Sequence, residues 1–277
     1  VVALSHSSRV CCSMQLEDCS GLFAPHVVAA MGGSAAPSMG TDGTGARLMQ
    51  ALGHEITPLY PALVQLRCSH PALKGLKGIR TQAELTLMID DQAVLREAGE
   101  LLLTDYGVSG VCVFQLSREA APALAQGRSV RLAVNFLPEI PSLLPWLDAR
   151  IRQLAPASLL ALTTGVLPRL LAQTVIREAR LSPDMPAEAL SESEKQALCG
   201  ALSAFPLVVT GTQGFANAQV TRGGVSLADV DPSTMASRLF DGLHIIGELL
   251  DVDGPCGGYN LHFAFAGALA AAKAIAG

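Results

Sequence analysis

Charged side chains are scarce in this sequence, and the basic ones are not clustered. Only 16% of the 277 residues are charged and the formal net charge is −5, whereas proteins that bind nucleic acid concentrate Lys and Arg on one surface. No apolar run reaches the roughly 18–20 residues of a membrane span. The apolar stretch from Ala264 to Gly277 is short and is interrupted by Lys273. We therefore expect no nucleic-acid partner and no membrane partner, and we interpret this stretch as a buried helix.

Signals for export, disulfides and metals are missing as well. The first residues lack the basic flank and the long apolar core of a signal peptide. The seven cysteines are odd in number, form no CxxC pair and have no histidine at a metal-ligand spacing. Such a set is typical of a reducing compartment, so the sequence predicts a cytoplasmic protein without a metal site. No Ser-His-Asp or Cys-His pattern of nucleophilic catalysis stands out, and the catalytic residues stay unknown.

Hydrophobic residues make up half of the chain, which is enough for a sizeable core. Their spacing indicates that residues 58–137 are β-rich. Leu85–Ile89 is a candidate strand, and Ser129–Asn135 alternates apolar and polar residues as a half-buried strand does. The segment Gly99–Gly110 predicts a strand and a turn, followed by another strand through Leu116.

Helical spacing dominates the next part of the sequence, residues 138–204. Apolar residues recur there every three or four positions, which indicates helices with one buried face. Ser191 and Glu194 stand at the spacing of a capping box, which predicts the start of the last of these helices. A further short helix is expected at residues 44–52, where Gly53 provides a C-terminal stop.

The two ends of the chain have a common organisation. Each has a short apolar segment, Phe23–Ala30 or Leu243–Glu248, that predicts a buried strand and is followed by a glycine-rich loop. This pattern predicts one domain made of residues 1–57 and 216–277. An inserted domain, residues 58–215, splits it.

The C-terminal segment carries the clearest chemical signal. After the strand Leu243–Glu248 comes an acidic loop, and then the pair Gly257 and Gly258 opens a helix. The first N–H groups of a helix have no partner within it, and they attract negative charge. A flavin gathers negative charge on its pyrimidine edge on reduction, and glycine leaves room for its close approach. The segment suggests a redox cofactor; the alternative is an ordinary helix start capped by Asn260.

Several short motifs in a fixed order extend this interpretation across nearly the whole chain. They resemble the bacterial flavoproteins related to aminoacetone oxidase and to bile-acid 3-dehydro-steroid reductase. Departures from the family pattern are Met31 in place of Thr, Ala36 in place of an aromatic residue and His262 in place of Gln. The motifs are Ala30–Gly33, Ser34–Gly40, Gly53-His54, Pro61–Val64, Gly99–Gly110, Ala218–Val225, Thr234–Ser237, Gly247–Asp251 and Gly257–Leu261.

The resemblance implies a mixed α/β (α+β) fold with an FAD-binding Rossmann-like domain. A β-barrel-like part and a helical part form the insertion in this domain and are expected to bind the substrate. The family's G-x-G-x-x-G motif, with an acidic residue about 20 positions later, is not found. Val1 aligns inside the flavin domain, so we expect the N-terminal part of that domain to be missing.

The implied activity is that of an FAD-dependent oxidoreductase, or the major part of one. It would transfer a hydride between the flavin and an unknown small molecule, with NAD(P)H or oxygen as the second redox partner. The alternative is a non-catalytic remnant or fragment that no longer binds FAD and acts as a binding module. The protein's colour distinguishes the two, since a bound flavin is yellow.

The resemblance also implies roles for residues around the flavin. Glu248 is expected to bind a ribityl hydroxyl; without the family it would be taken for an exposed acid at a strand end. Gly32 and Gly33 are expected to line the dinucleotide from the other side, with an ordinary β-turn as the alternative. The residues expected to bring backbone N–H groups towards flavin N1 and O2 open the last helix: Gly257, Gly258, Tyr259, Asn260 and Leu261.

Candidate substrate contacts follow in the same way. Thr221 and Arg222 are candidates to hold or polarise a substrate, although Arg222 is equally interpreted as a surface residue. Gly223 and Gly224 resemble a turn beside the substrate face of the flavin. Tyr106, in the inserted domain, is a candidate because ligands favour domain interfaces; a plain hairpin turn would explain the glycines around it equally well.

Overall fold

The computed structural model describes residues 3–8, 11–15 and 20–277. Strands and helices are mixed along this part of the chain, which confirms the predicted α/β class. In chain order the elements are β1 (Ala3–Ser8), β2 (Cys11–Gln15), β3 (Gly21–Ala24), β4 (Val27–Ala29), α1 (Thr44–Ala51), β5 (Tyr60–Ala62), β6 (Leu66–Ser69), β7 (Arg80–Ile89), β8 (Gln92–Leu103), β9 (Gly107–Ser109), α2 (Val111–Ala125), β10 (Val130–Asn135), α3 (Leu143–Leu154), α4 (Leu159–Leu162), α5 (Arg169–Glu178), α6 (Glu192–Ser203), β11 (Phe205–Thr212), β12 (Val220–Arg222), β13 (Leu243–Ile245) and α7 (Tyr259–Ala276).

Two compact units make up the chain. Residues 1–63 and 213–277 form one, here called the split unit, and residues 64–212 form the other, the inserted unit. Each has its own cluster of buried hydrophobic residues. The boundaries expected from the sequence, 57/58 and 215/216, lie a few residues away from these, and the roles assigned to the two parts stay predictions.

The inserted unit contains a closed barrel with the strand order β10-β11-β6-β9-β8-β7, as the barrel-like prediction required. Strand β7 shows why the sequence folds this way. Ala83, Leu85, Leu87 and Ile89 stand at every second position and are at most 4% exposed, so one face of the strand fills the barrel. The two residues after β7 have φ of 49° and 64°, the left-handed conformation that a tight hairpin to β8 requires.

One prediction for the inserted unit is wrong. The strand expected through Leu116 is part of helix α2, which buries Cys112, Val113, Leu116 and Ala120. These positions follow the three-to-four-residue spacing of a helix. An apolar run this short fits a strand or a buried helix equally well, and the alanine-rich continuation makes it helical. The predicted helices of residues 138–204 are confirmed by α3, α5 and α6.

Helix α6 starts as the sequence predicts. The Ser191 side chain accepts a hydrogen bond from the Glu194 N–H at 3.3 Å, and Glu194 Oε2 accepts one from the Ser191 N–H at 2.8 Å. This reciprocal pair satisfies two backbone donors that the helix leaves without partners. The capping box is therefore confirmed in both directions.

The split unit contains a short parallel pair, β4 with β13, and an antiparallel pair, β5 with β12. The single buried strand expected over Phe23–Ala30 is wrong: Pro25 and His26 interrupt it, and Phe23 is 67% exposed. Proline has no N–H for a strand ladder, so the chain breaks there into β3 and β4. Strand β13 likewise ends before Glu248, which was expected at its end.

A hydrogen bond to a buried histidine joins two of the motifs inside the split unit. His54 follows α1, is 2% exposed, and its Nε2 lies 2.8 Å from Ser237 Oγ. Ser237 Oγ also accepts from the N–H groups of Leu239 and Phe240 at 3.1 and 3.0 Å. Because both of its lone pairs are then used, the hydroxyl donates to Nε2. His54 Nδ1–H donates in turn to the Met49 carbonyl at 3.1 Å.

Helix α7 corrects the expectation of a buried C-terminal helix. Of its 18 residues only Gly267 and Ala271 are buried. Leu261, Phe265 and Leu269 are spaced four residues apart and are 68%, 70% and 64% exposed, so they form one apolar stripe on the helix surface. In the described part of the chain, no helix combines the length and apolarity that crossing a bilayer requires.

Candidate functional site

A cavity of about 470 Å³ lies within the split unit, a size typical of small-ligand sites. Five segments meet around it: the loop after β4, the residue after β5, the start of β12, the turn after β13 and the start of α7. Six of the eight residues predicted to contact a cofactor line it, whereas Gly33 and Tyr259 do not. The six are Gly32, Glu248, Gly257, Gly258, Asn260 and Leu261.

The N-terminal end of α7 contributes bare backbone donors to this cavity. Gly258 is its N-cap, with φ 94°, and no side chain caps the helix. Its first intrahelical bond is from the His262 N–H to the Gly258 carbonyl at 3.0 Å, so the three preceding N–H groups have no partner within the helix. The side chain of Asn260 bonds to the backbone of Gly254 instead, at 2.7 and 3.1 Å. The alternative in which Asn260 caps the helix is therefore wrong.

Glycine at the start of α7 is required by the backbone rather than by crowding. Gly257 and Gly258 have φ of 123° and 94°, which other residues adopt only with strain. A Cβ on Gly258 would have no heavy atom within 4 Å. The space in front of this helix end is open, so the positive end of the helix dipole faces the cavity without an intervening side chain.

Glu248 lies in the tight turn Gly247–Leu249 that follows β13. Its Oε1 accepts a hydrogen bond from the Thr221 N–H at 2.9 Å. Burial raises the pKa of this carboxyl above its usual range, while hydrogen bonds from the Thr221 side chain and backbone act in the opposite direction. The site thus holds a half-buried carboxylate at its edge, and its partial removal from water costs free energy.

Thr221 joins this carboxylate to the glycine loop after β4. Its side chain is buried, and Oγ1 accepts from the N–H groups of Ser34 and Ala35 at 2.7 and 2.9 Å. Gly33 packs against both partners: a Cβ there would lie 2.4 Å from Thr221 Oγ1 and 2.6 Å from Glu248 Oε1. Gly32, with φ 73°, turns the chain towards the cavity.

Arg222, Gly223 and Gly224 were also predicted to contact a substrate, and the packing around the two glycines explains why glycine is needed there. A Cβ on Gly223 would lie 2.2 Å from the Pro58 carbonyl oxygen, and one on Gly224 would lie 2.6 Å from the Leu249 carbonyl oxygen. These glycines allow backbones to cross closely. Arg222 is half-buried in β12, opposite Tyr60. The substrate roles of all three stay predictions.

Tyr106 belongs to the inserted unit, in the turn between β8 and β9. Its carbonyl accepts a hydrogen bond from the Cys68 N–H at 2.9 Å. Gly107 has φ 154°, and a Cβ on it would lie 2.1 Å from the Leu66 carbonyl oxygen. Close packing against β6 therefore explains this glycine, as the hairpin interpretation required, and the role of Tyr106 in substrate binding stays a prediction.

Sequence reasoning did not assign Gln219 to the site, although it lies in the motif Ala218–Val225. Gln219 lines the cavity, and its Oε1 is 3.7 Å from the sulfur of Cys256, which lines it too. The signal was available, since Gln219 directly precedes the strand that carries Thr221. Among the described residues, no group of three or more His, Cys, Asp or Glu side chains is placed to hold a metal ion.

Comparison with known proteins gives relatives over almost the whole chain. It is 38% identical over 256 residues to 3-dehydro-bile acid delta(4,6)-reductase of Clostridium scindens, covering 91% of this chain and 62% of that protein. It is 32% identical over 251 residues to ribosomal RNA dihydrouridine synthase of Escherichia coli, covering 89% and 60%. The Haemophilus influenzae protein of the same name is 27% identical over 253 residues, covering 90% and 60%. The chain thus spans about three fifths of the length of these relatives.

A family model provides the assignment. The model described as "HI0933-like protein Rossmann domain" matches residues 1–274, which is nearly the entire chain. The C. scindens relative, at 38% identity, supports the same grouping. The motifs that surround the cavity lie inside the matched region. We conclude that the chain belongs to the HI0933-like Rossmann-domain family.

Proposed function

We propose that this protein is an FAD-dependent reductase, or the major part of one, and that the cavity of the split unit receives the flavin. The observation that supports this most is the juxtaposition of the uncapped α7 end and the Glu248 carboxylate around one open cavity. The two groups match opposite needs. Backbone N–H donors favour the negative pyrimidine edge of a flavin, and a carboxylate accepts hydrogen bonds from the hydroxyls of its ribityl chain.

The residues present fit this group. The missing side chains at Gly257 and Gly258 leave open the approach to the helix end, and the lining combines apolar side chains with few polar ones, as ligand sites do. Bound FAD would supply the hydride chemistry. The chain's own part is to orient the ring with the N–H groups of residues 259–261, to hold the sugar chain with Glu248 and to exclude water with Leu63 and Ile246.

The names of the relatives suggest the bond that is reduced. A delta(4,6)-reductase acting on a 3-dehydro-bile acid and a dihydrouridine synthase both add hydrogen to a carbon–carbon double bond. In both substrates that bond is conjugated to a carbonyl. Saturating it takes a hydride at the β-carbon and a proton at the α-carbon. We therefore infer that the substrate of this protein is an α,β-unsaturated carbonyl compound, and that NAD(P)H supplies the electrons.

Charge favours a small molecule over RNA as that substrate. Residues 64–212 contain fourteen Lys and Arg and fourteen Asp and Glu, so the net charge of −5 resides in the split unit. Recognition of an RNA backbone depends on clustered positive charge, and neither unit has a net positive charge.

We place this reductase in the cytoplasm. Four cysteines of the described residues are free thiols, as is usual in a reducing compartment.

A binding module that has lost FAD is the second candidate function. The apolar stripe of α7 favours it, because exposed stripes of this kind often mark contact surfaces. FAD titration distinguishes the two candidates. We expect the purified chain to bind FAD, seen as a shift of the flavin absorbance bands and as quenching of its fluorescence. A chain that stays colourless and leaves FAD fluorescence unchanged would exclude the reductase.

A second assay tests the bond that is reduced. With FAD and NADH or NADPH under anaerobic conditions, a cyclic enone should be reduced at its double bond, and the product should be the saturated ketone. A saturated ketone of the same size is the control and should not oxidise the nicotinamide. If the control is consumed as fast as the enone, or only the carbonyl is reduced, the proposed reaction is wrong.

A further inference from the structure

We propose that Thr221 is a positioning residue of the cofactor site, whose hydroxyl holds the Gly33–Ala35 loop beside the Glu248 carboxylate that its backbone N–H binds. The inference rests on the proposed function, because Glu248 is the group argued to hold the ribityl chain. It differs from the substrate contact expected for Thr221 from the sequence. The two roles make different demands on the hydroxyl.

Both lone pairs of that hydroxyl are already used. A threonine hydroxyl has two lone pairs and one proton. The N–H groups of Ser34 and Ala35 occupy the lone pairs at 2.7 and 2.9 Å. A substrate donor could bind this oxygen only by displacing one of these two amides. Burial raises the pKa of the neighbouring Glu248 carboxyl, and a hydrogen bond from the Thr221 side chain acts in the opposite direction.

The same place is crowded enough to transmit a displacement. Thr221 is 1% exposed. Thr221 Oγ1 and Glu248 Oε1 are 2.4 and 2.6 Å from the point where a Gly33 side chain would begin. The backbone N–H of Thr221 also holds Glu248 at 2.9 Å. Thr221 in β12 therefore contacts both the loop, through its hydroxyl, and the carboxylate, through its N–H, and a displacement of the loop reaches Glu248 through this residue.

Three variants of the full chain separate positioning from general stability. Thr221→Val has nearly the same shape but leaves the Ser34 and Ala35 N–H groups without an acceptor, while the backbone N–H of residue 221 still donates to Glu248. Thr221→Ser keeps the hydroxyl. Thr163→Val is the matched control in the inserted unit, where a 6% exposed threonine donates to the Leu160 carbonyl at 2.7 Å.

The first measurement needs no cofactor. Amide hydrogen exchange should be faster at Ser34 and Ala35 in Thr221→Val than in the wild type, and unchanged there in Thr221→Ser and Thr163→Val. Equal protection of these amides in the valine variant and the wild type would overturn the proposal. If the wild type takes up no FAD at all, the proposed function fails, and this measurement still decides whether the hydroxyl organises the loop.

The second measurement uses FAD. Thr221→Val should weaken FAD binding about tenfold or more, since two N–H groups beside the site lose their acceptor, and Thr221→Ser should stay within about twofold of the wild type. Wild-type affinity in a folded Thr221→Val protein, or an equal loss in the serine variant, would overturn the positioning role. If the valine variant does not fold, Thr221→Cys replaces it, because a thiol makes weaker hydrogen bonds than a hydroxyl. Its affinity for FAD should be lower than that of Thr221→Ser. An affinity equal to that of Thr221→Ser would count against the proposal.

Discussion

Replacing Gly33 by alanine should displace Glu248 and weaken FAD binding. The new Cβ would lie 2.4 Å from Thr221 Oγ1, 2.6 Å from Glu248 Oε1 and 2.7 Å from Thr221 Cβ. Gly33 does not have a left-handed φ, so the alanine backbone itself is unstrained. The perturbation is therefore one of volume alone, at a single point behind the cavity wall.

The size of the effect follows from these distances. Contacts of real Cβ atoms essentially never fall below 3.0 Å, so the Thr221 hydroxyl and the Glu248 carboxylate must both move away from the new Cβ, by about 0.6 and 0.4 Å. Overpacking of this kind costs about 1–3 kcal/mol. If that cost falls on the bound geometry, it corresponds to a rise of about 5- to 150-fold in the dissociation constant of FAD.

Fluorescence titration with FAD and urea denaturation of the free protein measure the two parts of the effect. Gly75→Ala is the matched control, because a Cβ there meets no heavy atom within 4 Å and its φ is not left-handed. The control should bind FAD as the wild type does. A Gly33→Ala protein with wild-type affinity and wild-type stability would show that Glu248 and Thr221 do not occupy the positions described.

Three further predictions concern stability. Burial raises the pKa of Glu248, so its contribution to stability is complete below the usual glutamate value of about 4.3 and is lost as pH rises through the raised native value. Glu248→Gln should therefore remove this decline from urea unfolding curves measured across that pH window without FAD, and an unchanged pH profile would contradict it. Ser191→Ala should lower the free energy of unfolding by about 1 kcal/mol, because it removes the capping box of α6. Urea unfolding measures this, with Ser203→Ala at an exposed position as the control. Equal losses in the two variants would count against the prediction. Leu85→Ala should cost about 2–5 kcal/mol, since Leu85 is 0% exposed in the barrel, whereas Val94→Ala, at a 47% exposed position, should cost far less in the same assay.

Local signals predicted much of the fold because they act within a few residues. The alternation of β7 and the capping box of Ser191 and Glu194 each depend on neighbours along the chain, and both are observed. The strand expected through Leu116 was wrong for the opposite reason. Its apolar run is short, and packing partners far away in sequence decide whether such a run becomes a strand or a helix. The error at Phe23–Ala30 was a local one, because the prediction passed over the interruption at Pro25.

The site divides in the same way. The glycines that open α7 and the carboxylate of Glu248 are visible in the sequence, and they do line one cavity. The contacts of Thr221 are not visible, because its partners Ser34 and Ala35 are 187 and 186 positions away in the sequence. No local pattern encodes such a contact.

The pairing of β6 with β11 has a consequence for how the inserted unit can be exchanged. Leu66, near the first residue of the inserted unit, pairs with Thr212, the last residue of that unit. The chain therefore enters and leaves the inserted unit on neighbouring strands, about 5 Å apart. A two-residue turn spans such a gap. Chimaeras in which residues 64–212 of one homologue replace those of another should therefore tolerate both junctions, because closing them costs little loop entropy. The inserted unit can thus be exchanged between homologues as one segment.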